Sequence, residues 1–98
     1  MKSIIQEERD SCYLCGRNGY SDPLERHHVF GGYNRKWSEK YGLTVYLCGD
    51  RCHRNGKKSA HMNAETAQQL HEIAQNIAMD YYGWTEEEFR AIFGKSYL

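Results

Sequence analysis

The sequence lacks several features that would place it in familiar classes of protein. It has a single proline, no internal repeat, no low-complexity tract, and no run of about 18 apolar residues such as a membrane-spanning helix requires. Its first ten residues, MKSIIQEERD, also lack the apolar region and the small-residue cleavage site of a secretory signal. We therefore expect one domain over residues 1–98, without a membrane partner and located in the cytoplasm.

Four cysteines stand in two close pairs, Cys12 with Cys15 and Cys48 with Cys52. A chain of 98 residues has a small hydrophobic core, which often needs a covalent or metal cross-link. The pairs are compatible with two disulfides or with one metal site, and a reducing cytoplasm favours the metal. We expect a structural Zn²⁺ held by all four cysteines. Because every position of such a site is filled, it stabilises the fold and does no chemistry.

The formal net charge is zero, but the charges are distributed unevenly along the chain. Residues 26–58 carry eight basic and two acidic side chains, whereas residues 59–98 carry two basic and six acidic ones. A basic middle segment is typical of proteins that contact phosphates, and the alternative is a solvated face balanced by neighbouring acids. The basic residues that we expect to contact nucleic acid are Arg35, Lys36, Arg54, Lys57 and Lys58.

The apolar pattern predicts an α+β fold. Strand-forming residues occur at His28–Phe30 and in LTVYLC, residues 43–48, and the polar segment GGYNRKWSEKYG predicts a long loop between two strands. Cys52 and His53 are expected to begin a helix after the second strand. These elements form the part of the chain in which the chemistry-bearing residues are concentrated.

Two further helices are predicted in the C-terminal part of the chain. Helical spacing of apolar residues begins near Asn63, and Gly83 is expected to end this helix. A capping box of Thr85 and Glu88 predicts a short last helix that ends at Gly94. The stripe expected to face the core consists of Ala67, Leu70, Ile73, Ala74, Ile77, Ala78 and Tyr81.

Four of the five histidines lie between residues 27 and 61. Successive residues of a strand point to opposite faces, so His27 and His28 are expected to have different roles. One of them can bind a second metal ion together with His53, and the other can remain a free base. The alternative is a structural role for these imidazoles, and His71, beside the apolar stripe, is expected to be a surface or boundary residue.

Several stretches of the sequence together resemble a known family. CYLC, HHVFGG, NRKWSEKYGLTVYLC, CHRNGKKSAH and FGKSYL resemble the HNH endonucleases, specifically the small HNHc nucleases of bacteriophages and prophages, and more distantly phage Ref-type nucleases. The resemblance covers most of the chain. It implies a ββα-metal (His-Me finger) fold with the zinc knuckle over about residues 10–62 and a helical part over about residues 63–94.

The resemblance also implies an activity and its setting. HNH nucleases hydrolyse phosphodiester bonds with one divalent ion, here Mn²⁺, Mg²⁺, Ni²⁺ or Zn²⁺, since imidazole ligands do not fix the metal. It implies DNA as the substrate and the cytoplasm of a bacterial host cell as the location, with other phage proteins as further partners. Nothing in the sequence is typical of a long recognition helix, so we expect weak sequence preference.

Individual residues take their roles from the same resemblance. It implies that His28 is the general base, that His27 and His53 bind the catalytic metal, and that His61 completes or supports that site. By spacing alone His61 is far from His53, and a loop histidine that contacts phosphate or nothing is the alternative. Many relatives carry an asparagine before the second strand. This chain does not, and Asn34 has no assigned role.

These residue types suit phosphodiester hydrolysis. A neutral imidazole, with an unperturbed pKa of ~6.5, can accept a proton from water near neutral pH, and a divalent ion with open positions can stabilise charge on the phosphate. One alternative is a non-catalytic, zinc-stabilised nucleic-acid-binding module with structural histidines. Another is a protein interaction domain, which the acidic C-terminal helices favour.

Overall fold

Two antiparallel strands organise the first half of the structure, a computed structural model that describes residues 1–98. Strand β1 spans Leu24–His28 and strand β2 spans Thr44–Cys48, with His27 paired to Val45. The sequence predicted the first strand at His28–Phe30, further along the chain. The prediction overlaps β1 only at His28, because the strand begins earlier, at Leu24, and the amide of Phe30 donates to the Ser38 side chain, outside the ladder with β2.

A short helix occupies the segment for which the sequence predicted a polar loop. A 3-10 turn at Gly32–Asn34 leads into helix α1, Arg35–Tyr41, which ends at Gly42 in the left-handed conformation with φ of 74°. Ser38 is fully buried and bonds the main chain of Phe30 twice, accepting from the amide at 3.0 Å and donating to the carbonyl at 2.8 Å. This contact fixes α1 against the end of β1, and local sequence patterns do not reveal it.

A π-helical turn, Gly49–Arg54, follows β2 where the sequence predicted the start of a helix. Asp22 holds the beginning of this turn, because its carboxylate accepts from the amides of Asp50 and Arg51, both at 2.9 Å. The turn is therefore anchored to the segment that precedes β1. The π-helical turn ends after six residues, at Arg54. The chain that follows then folds back toward this turn.

The two predicted C-terminal helices are confirmed. Helix α2 spans Ala64–Tyr82 and ends at Gly83, with φ of 69°. Helix α3 spans Glu86–Phe93, begins with the predicted capping box of Thr85 and Glu88, and ends at Gly94. Strong local signals at the helix ends therefore predicted these boundaries correctly.

The core-facing stripe of α2 is narrower than the sequence predicted. Leu70, Ala74 and Ala78 are buried, whereas Ile73 and Tyr81 are exposed. Gln75 takes a fully buried position instead. Its side chain donates to the Ser96 hydroxyl at 2.9 Å and accepts from the Tyr97 amide at 2.7 Å, so the C-terminal segment packs back on α2.

One cluster of buried apolar residues joins the strands to α2 and α3. Phe30 lies at its centre and contacts the rings of Phe89 and Phe93, with centroids 5.5 and 4.8 Å away. None of the helices combines the length and the apolar character needed to cross a membrane. The structure is thus a small α+β protein with a two-stranded sheet.

Candidate metal centres

The four cysteines lie together at one end of the sheet. Cys12 and Cys15 belong to a tight knuckle, in which the Gly16 amide donates to the Cys12 carbonyl at 2.8 Å. Cys48 ends β2 and Cys52 lies in the π-helical turn. The four sulfur atoms all lie within 4.8 Å of one another. Residues far apart in sequence therefore form one sulfur cluster.

This donor set fits a divalent metal ion. None of the cysteines forms a disulfide, and the sulfur atoms of Cys15 and Cys48 lie 3.5 Å apart, close to the ~3.8 Å edge of a zinc–thiolate tetrahedron. Burial, with hydrogen bonds to Cys15 and Cys12, raises the pKa of Cys48 to about 12. Burial opposes ionisation of Cys15, but hydrogen bonds from Arg17, Cys48 and Cys12 lower its pKa to about 6. Thiolates are the form that binds zinc, and the positive charge of the ion would favour ionisation of the buried cysteines, so this cluster could bind zinc.

Three histidines form a second cluster. His27 comes from β1, His53 from the π-helical turn and His61 from the segment that follows it. Their ring centroids lie 5.0, 5.5 and 4.7 Å apart for the pairs 27–53, 27–61 and 53–61. One nitrogen of each ring lies within 4.8 Å of the others. The structure thus brings together the three histidines predicted to bind the catalytic metal.

A fold-back of the main chain carries His61 to this cluster. The amide of Ala60 donates to the Cys52 carbonyl at 2.8 Å, and the amide of His61 donates to the His53 carbonyl at 3.1 Å. Gly56 allows this turn, because a side chain there would collide with the Arg51 carbonyl. The eight-residue separation of His53 and His61, too long for a local ligand pair, is therefore bridged by a loop.

The protonation of these imidazoles suits metal binding. Burial, and then the nearby charges of His53 and His61, lower the pKa of His27 to about 3. Burial and the charge of His53 likewise lower the pKa of His61. Neutral imidazole is the form that binds metal ions, so His27 and His61 are ready to act as ligands at neutral pH.

Glu25 supports the histidine cluster and was missed by the sequence analysis. The Nδ1 atom of His53 donates to Glu25 Oε1 at 2.8 Å, and Arg54 Nε lies 3.3 Å from the same oxygen. This contact leaves the Nε2 atom of His53 for the cluster. A signal was present in the sequence, since Glu25 stands two residues before His27 on a strand and therefore shares its face.

His28 lies on the other face of β1, as alternation along a strand predicts. Its side chain is 11 % exposed, and its Nε2 atom lies 3.4 Å from Glu39 Oε1 on α1. Burial lowers the pKa of His28, while the Glu39 hydrogen bond acts in the opposite direction. Glu39 is the second acidic residue that the sequence analysis missed. It is one of only two acids in the basic segment of residues 26–58.

Asn34 does not contact the histidines through its side chain. Its Nδ2 atom donates to the Phe93 carbonyl at 2.8 Å, which ties the 3-10 turn to the end of α3. This hydrogen bond gives Asn34 a structural role, because it connects the start of α1 to the end of α3.

The basic residues predicted to bind nucleic acid lie in two places. Arg35 and Lys36 are exposed at the start of α1, and the charge of Arg35 acts on His28. Arg54 and Lys57 are exposed in and after the π-helical turn, next in sequence to the histidine cluster. Lys36 covers the exposed ring of Tyr33, with its Nζ atom 4.3 Å from the ring centroid. Arg54 lies on the His27 side of β1, where its Nε atom is 3.3 Å from Glu25 Oε1, whereas helix α1, which begins with Arg35 and Lys36, provides Glu39 on the His28 side.

Comparisons of the chain with family models, curated proteins and solved structures find no match.

Proposed function

We propose that this protein is a metal-dependent HNH endonuclease that hydrolyses DNA phosphodiester bonds with low sequence specificity. The observation that supports this best is the convergence of His27, His53 and His61 on one point, with His28 the next residue of β1 after His27. Three imidazoles leave coordination positions open, unlike a four-cysteine site, and open positions are what a hydrolytic metal needs. The proposal includes the ββα-metal arrangement and a phage or prophage origin, which the sequence resemblance implies.

In this proposal each histidine has a separate task. His27, His53 and His61 hold a divalent ion, which when bound stabilises negative charge on the phosphate as a Lewis acid. His28 accepts the proton of the attacking water, since a neutral imidazole near the reacting phosphate is a suitable base. Because His28 lies on the opposite face of β1 from His27, it is kept out of the ligand set and remains free to accept a proton.

The exposed cations bind the substrate. Arg35, Lys36, Arg54 and Lys57 can neutralise phosphates on both sides of β1 without reading bases. Such contacts attract any nucleic acid backbone and weaken as salt rises. Helix α1 is short, helix α2 carries three acidic and no Lys or Arg side chains, and helix α3 carries three acidic side chains and one arginine, so none is suited to enter a groove as a reading element. This supports weak sequence preference.

The four cysteines hold a structural Zn²⁺ in this proposal. Their sulfur cluster joins the knuckle of residues 12–16, the end of β2 and the π-helical turn. Cys52 and His53 are neighbours in that turn, so the zinc site also holds one ligand of the catalytic site in place. The ion contributes folding energy and the histidine cluster contributes the chemistry.

Cleavage of supercoiled plasmid tests the proposal. Purified protein is incubated with Mn²⁺, Mg²⁺, Ni²⁺ or no added metal, beside His28→Ala and, as a matched control, His71→Ala. We expect metal-dependent nicking by the wild type and by His71→Ala, and loss of nicking in His28→Ala at equal zinc content. Unrelated plasmids should be cut at many positions.

The competing function is a non-catalytic, zinc-stabilised nucleic-acid-binding module. It predicts that folded, zinc-loaded wild-type protein binds DNA and cuts it with none of the metals. It also predicts equal DNA binding by the wild type and His28→Ala. That pair of results would replace the nuclease with the binding module.

A further inference from the structure

The candidate base lacks the asparagine that many HNH nucleases place beside it, and this raises the question of what orients His28. Asn34, the only asparagine between His28 and His53, is committed to the Phe93 carbonyl. A neutral imidazole carries a proton on one nitrogen and accepts through the other, and a hydrogen-bond partner at one nitrogen decides which of the two is free. Such a partner must therefore come from another residue.

We infer that Glu39 is the positioning residue of His28. Its carboxylate accepts the Nε2 proton of His28 and leaves Nδ1 as the nitrogen that takes a proton from water. The inference rests on the proposed function for its catalytic meaning. The orientation of the His28 ring, however, does not depend on that function and can be measured without an activity assay.

The two oxygens of Glu39 have separate partners. Oε1 lies 3.4 Å from Nε2 of His28, and Oε2 accepts from the Arg26 guanidinium and lies 3.6 Å from the amino group of Met1. The contact with Arg26, on the same strand as His28, holds the carboxylate beside the His28 ring. A separation of 3.4 Å is long for a hydrogen bond, and catalytic hydrogen bonds commonly shorten when substrate binds.

The main chain around Glu39 is equally constrained. Its neighbour Ser38 is fully buried and bonds both the amide and the carbonyl of Phe30, two residues after His28. The Leu43 amide donates to the Ser38 carbonyl at 2.8 Å, which ties the same turn to the start of β2. Glu39 and His28 are therefore held by one rigid connection, as a positioning contact requires.

Charge supports the same pairing. Arg26 on β1 and Arg35 on α1 are cations of the two elements that hold His28 and Glu39, and Glu39 is the acid that contacts both Arg26 and the His28 ring. Without Glu39, both cations would act on the His28 ring with no counter-charge. An amide in place of the carboxylate would keep the acceptor and lose the charge, so Glu39→Gln and Glu39→Ala separate these two contributions.

The first test measures the ring itself, without activity. Long-range ¹H–¹⁵N NMR of labelled protein distinguishes the two neutral tautomers of a histidine, and the His28 signals are identified by their loss in His28→Ala. We expect His28 to carry its proton on Nε2 in the wild type and in the control Glu87→Gln, which changes an exposed acid of α3. We expect a mixture of tautomers in Glu39→Ala. A proton on Nδ1 in the wild type, or no change in Glu39→Ala, would overturn the inference.

The second test measures the reaction. Glu39→Ala should lower kcat roughly 10- to 100-fold, part of the ~10²–10⁴ that a positioned base contributes, with KM for DNA unchanged. Glu39→Gln should retain more activity, because its amide oxygen still accepts the Nε2 proton. Ni²⁺ affinity should not change in either variant. A fall in Ni²⁺ affinity, or a kcat equal to that of the wild type, would contradict the positioning role.

The two tests separate this inference from the proposed function. If the wild type cuts no DNA while the His28 tautomer depends on Glu39, the nuclease proposal fails and the positioning contact stands. If the wild type cuts DNA, His28→Ala does not, and Glu39→Ala is fully active, the nuclease stands and Glu39 has no part in it.

Discussion

The cysteine cluster and the histidine cluster are neighbours with opposite surroundings. Three of the four cysteines are buried, whereas in the histidine cluster only His27 is buried and His61 is exposed. Sulfur ligands in a buried, filled site stabilise a fold, and nitrogen ligands at a partly open site leave room for water and substrate. The comparison teaches that one short segment, Cys48–His53, contributes adjacent residues to two candidate metal sites of different character.

We expect the dependence between the clusters to run in one direction. Cys52 and His53 share the π-helical turn, and the fold-back that delivers His61 is hydrogen-bonded to the carbonyls of these same two residues. Loss of the cysteine site should therefore disperse the histidine ligands as well. Loss of a histidine ligand should leave the cysteine site intact. The predictions below test this asymmetry.

The largest effect is expected for Cys48→Ser. Structural zinc sites contribute about 10–16 kcal/mol of binding energy in small zinc domains, which is as large as the ~5–15 kcal/mol stability of a typical domain. The variant should therefore lose its zinc, its cooperative thermal unfolding and its affinity for a second metal ion together. Elemental analysis, circular dichroism and Ni²⁺ titration measure the three losses. A folded, zinc-free variant would show that the small core suffices without the ion.

His27→Ala should affect the second metal site and leave the zinc site intact, the opposite of what is expected for Cys48→Ser. Removing this buried ligand should abolish binding of the second divalent ion and DNA cleavage, since two histidines from one loop remain. Zinc content should stay at the wild-type value, with a stability loss of about 1–3 kcal/mol, typical of a buried substitution. Calorimetric titration with Ni²⁺ and urea unfolding measure the two quantities. Loss of zinc in this variant would mean that the two clusters are not independent in the predicted direction.

A smaller effect is expected for Glu25→Gln. This substitution changes the hydrogen-bond partner of His53 and leaves all three histidine ligands in place. The carboxylate fixes the ring of His53 through a 2.8 Å contact to Nδ1, and loss of such a partner typically weakens metal binding about 10- to 100-fold. Ni²⁺ affinity should fall within this range at unchanged zinc content. Glu39→Gln is the matched control, because its carboxylate contacts His28 on the other face of β1 and should leave Ni²⁺ affinity unaltered.

These contacts also show what the sequence could and could not predict. The paired spacings of the cysteines, the alternation of His27 and His28, and the caps of α2 and α3 are local signals, and the structure agrees with each. The partner of His53 is a residue 28 positions earlier, and the contact depends on how β1 lies against the π-helical turn. Helix α1 was missed because it has seven residues and its place is set by Ser38, a polar residue at the centre of the fold.

The smallest effect concerns His71, a histidine that belongs to neither cluster. Its ring stacks on Phe30 with centroids 5.2 Å apart and packs against Tyr97 at 4.4 Å. Burial lowers its pKa, and a hydrogen bond with the main chain of Val29 acts in the opposite direction. The folded protein therefore binds a proton at His71 less readily than the unfolded chain does.

The sign of the pH effect follows from this difference. Above the unfolded pKa of ~6.5 the ring is neutral in both states, and as pH falls through that value the unfolded chain gains the proton first. Stability should therefore fall as the solution is acidified, until pH reaches the lowered pKa of the folded state. His27, His28 and His61 have lowered pKa values too, so the contribution of His71 is the difference between the wild type and His71→Phe. Urea unfolding at pH 7.5 and 5.5 should show a smaller acid-induced loss for His71→Phe, and equal losses would mean that His71 has no part in the acid sensitivity.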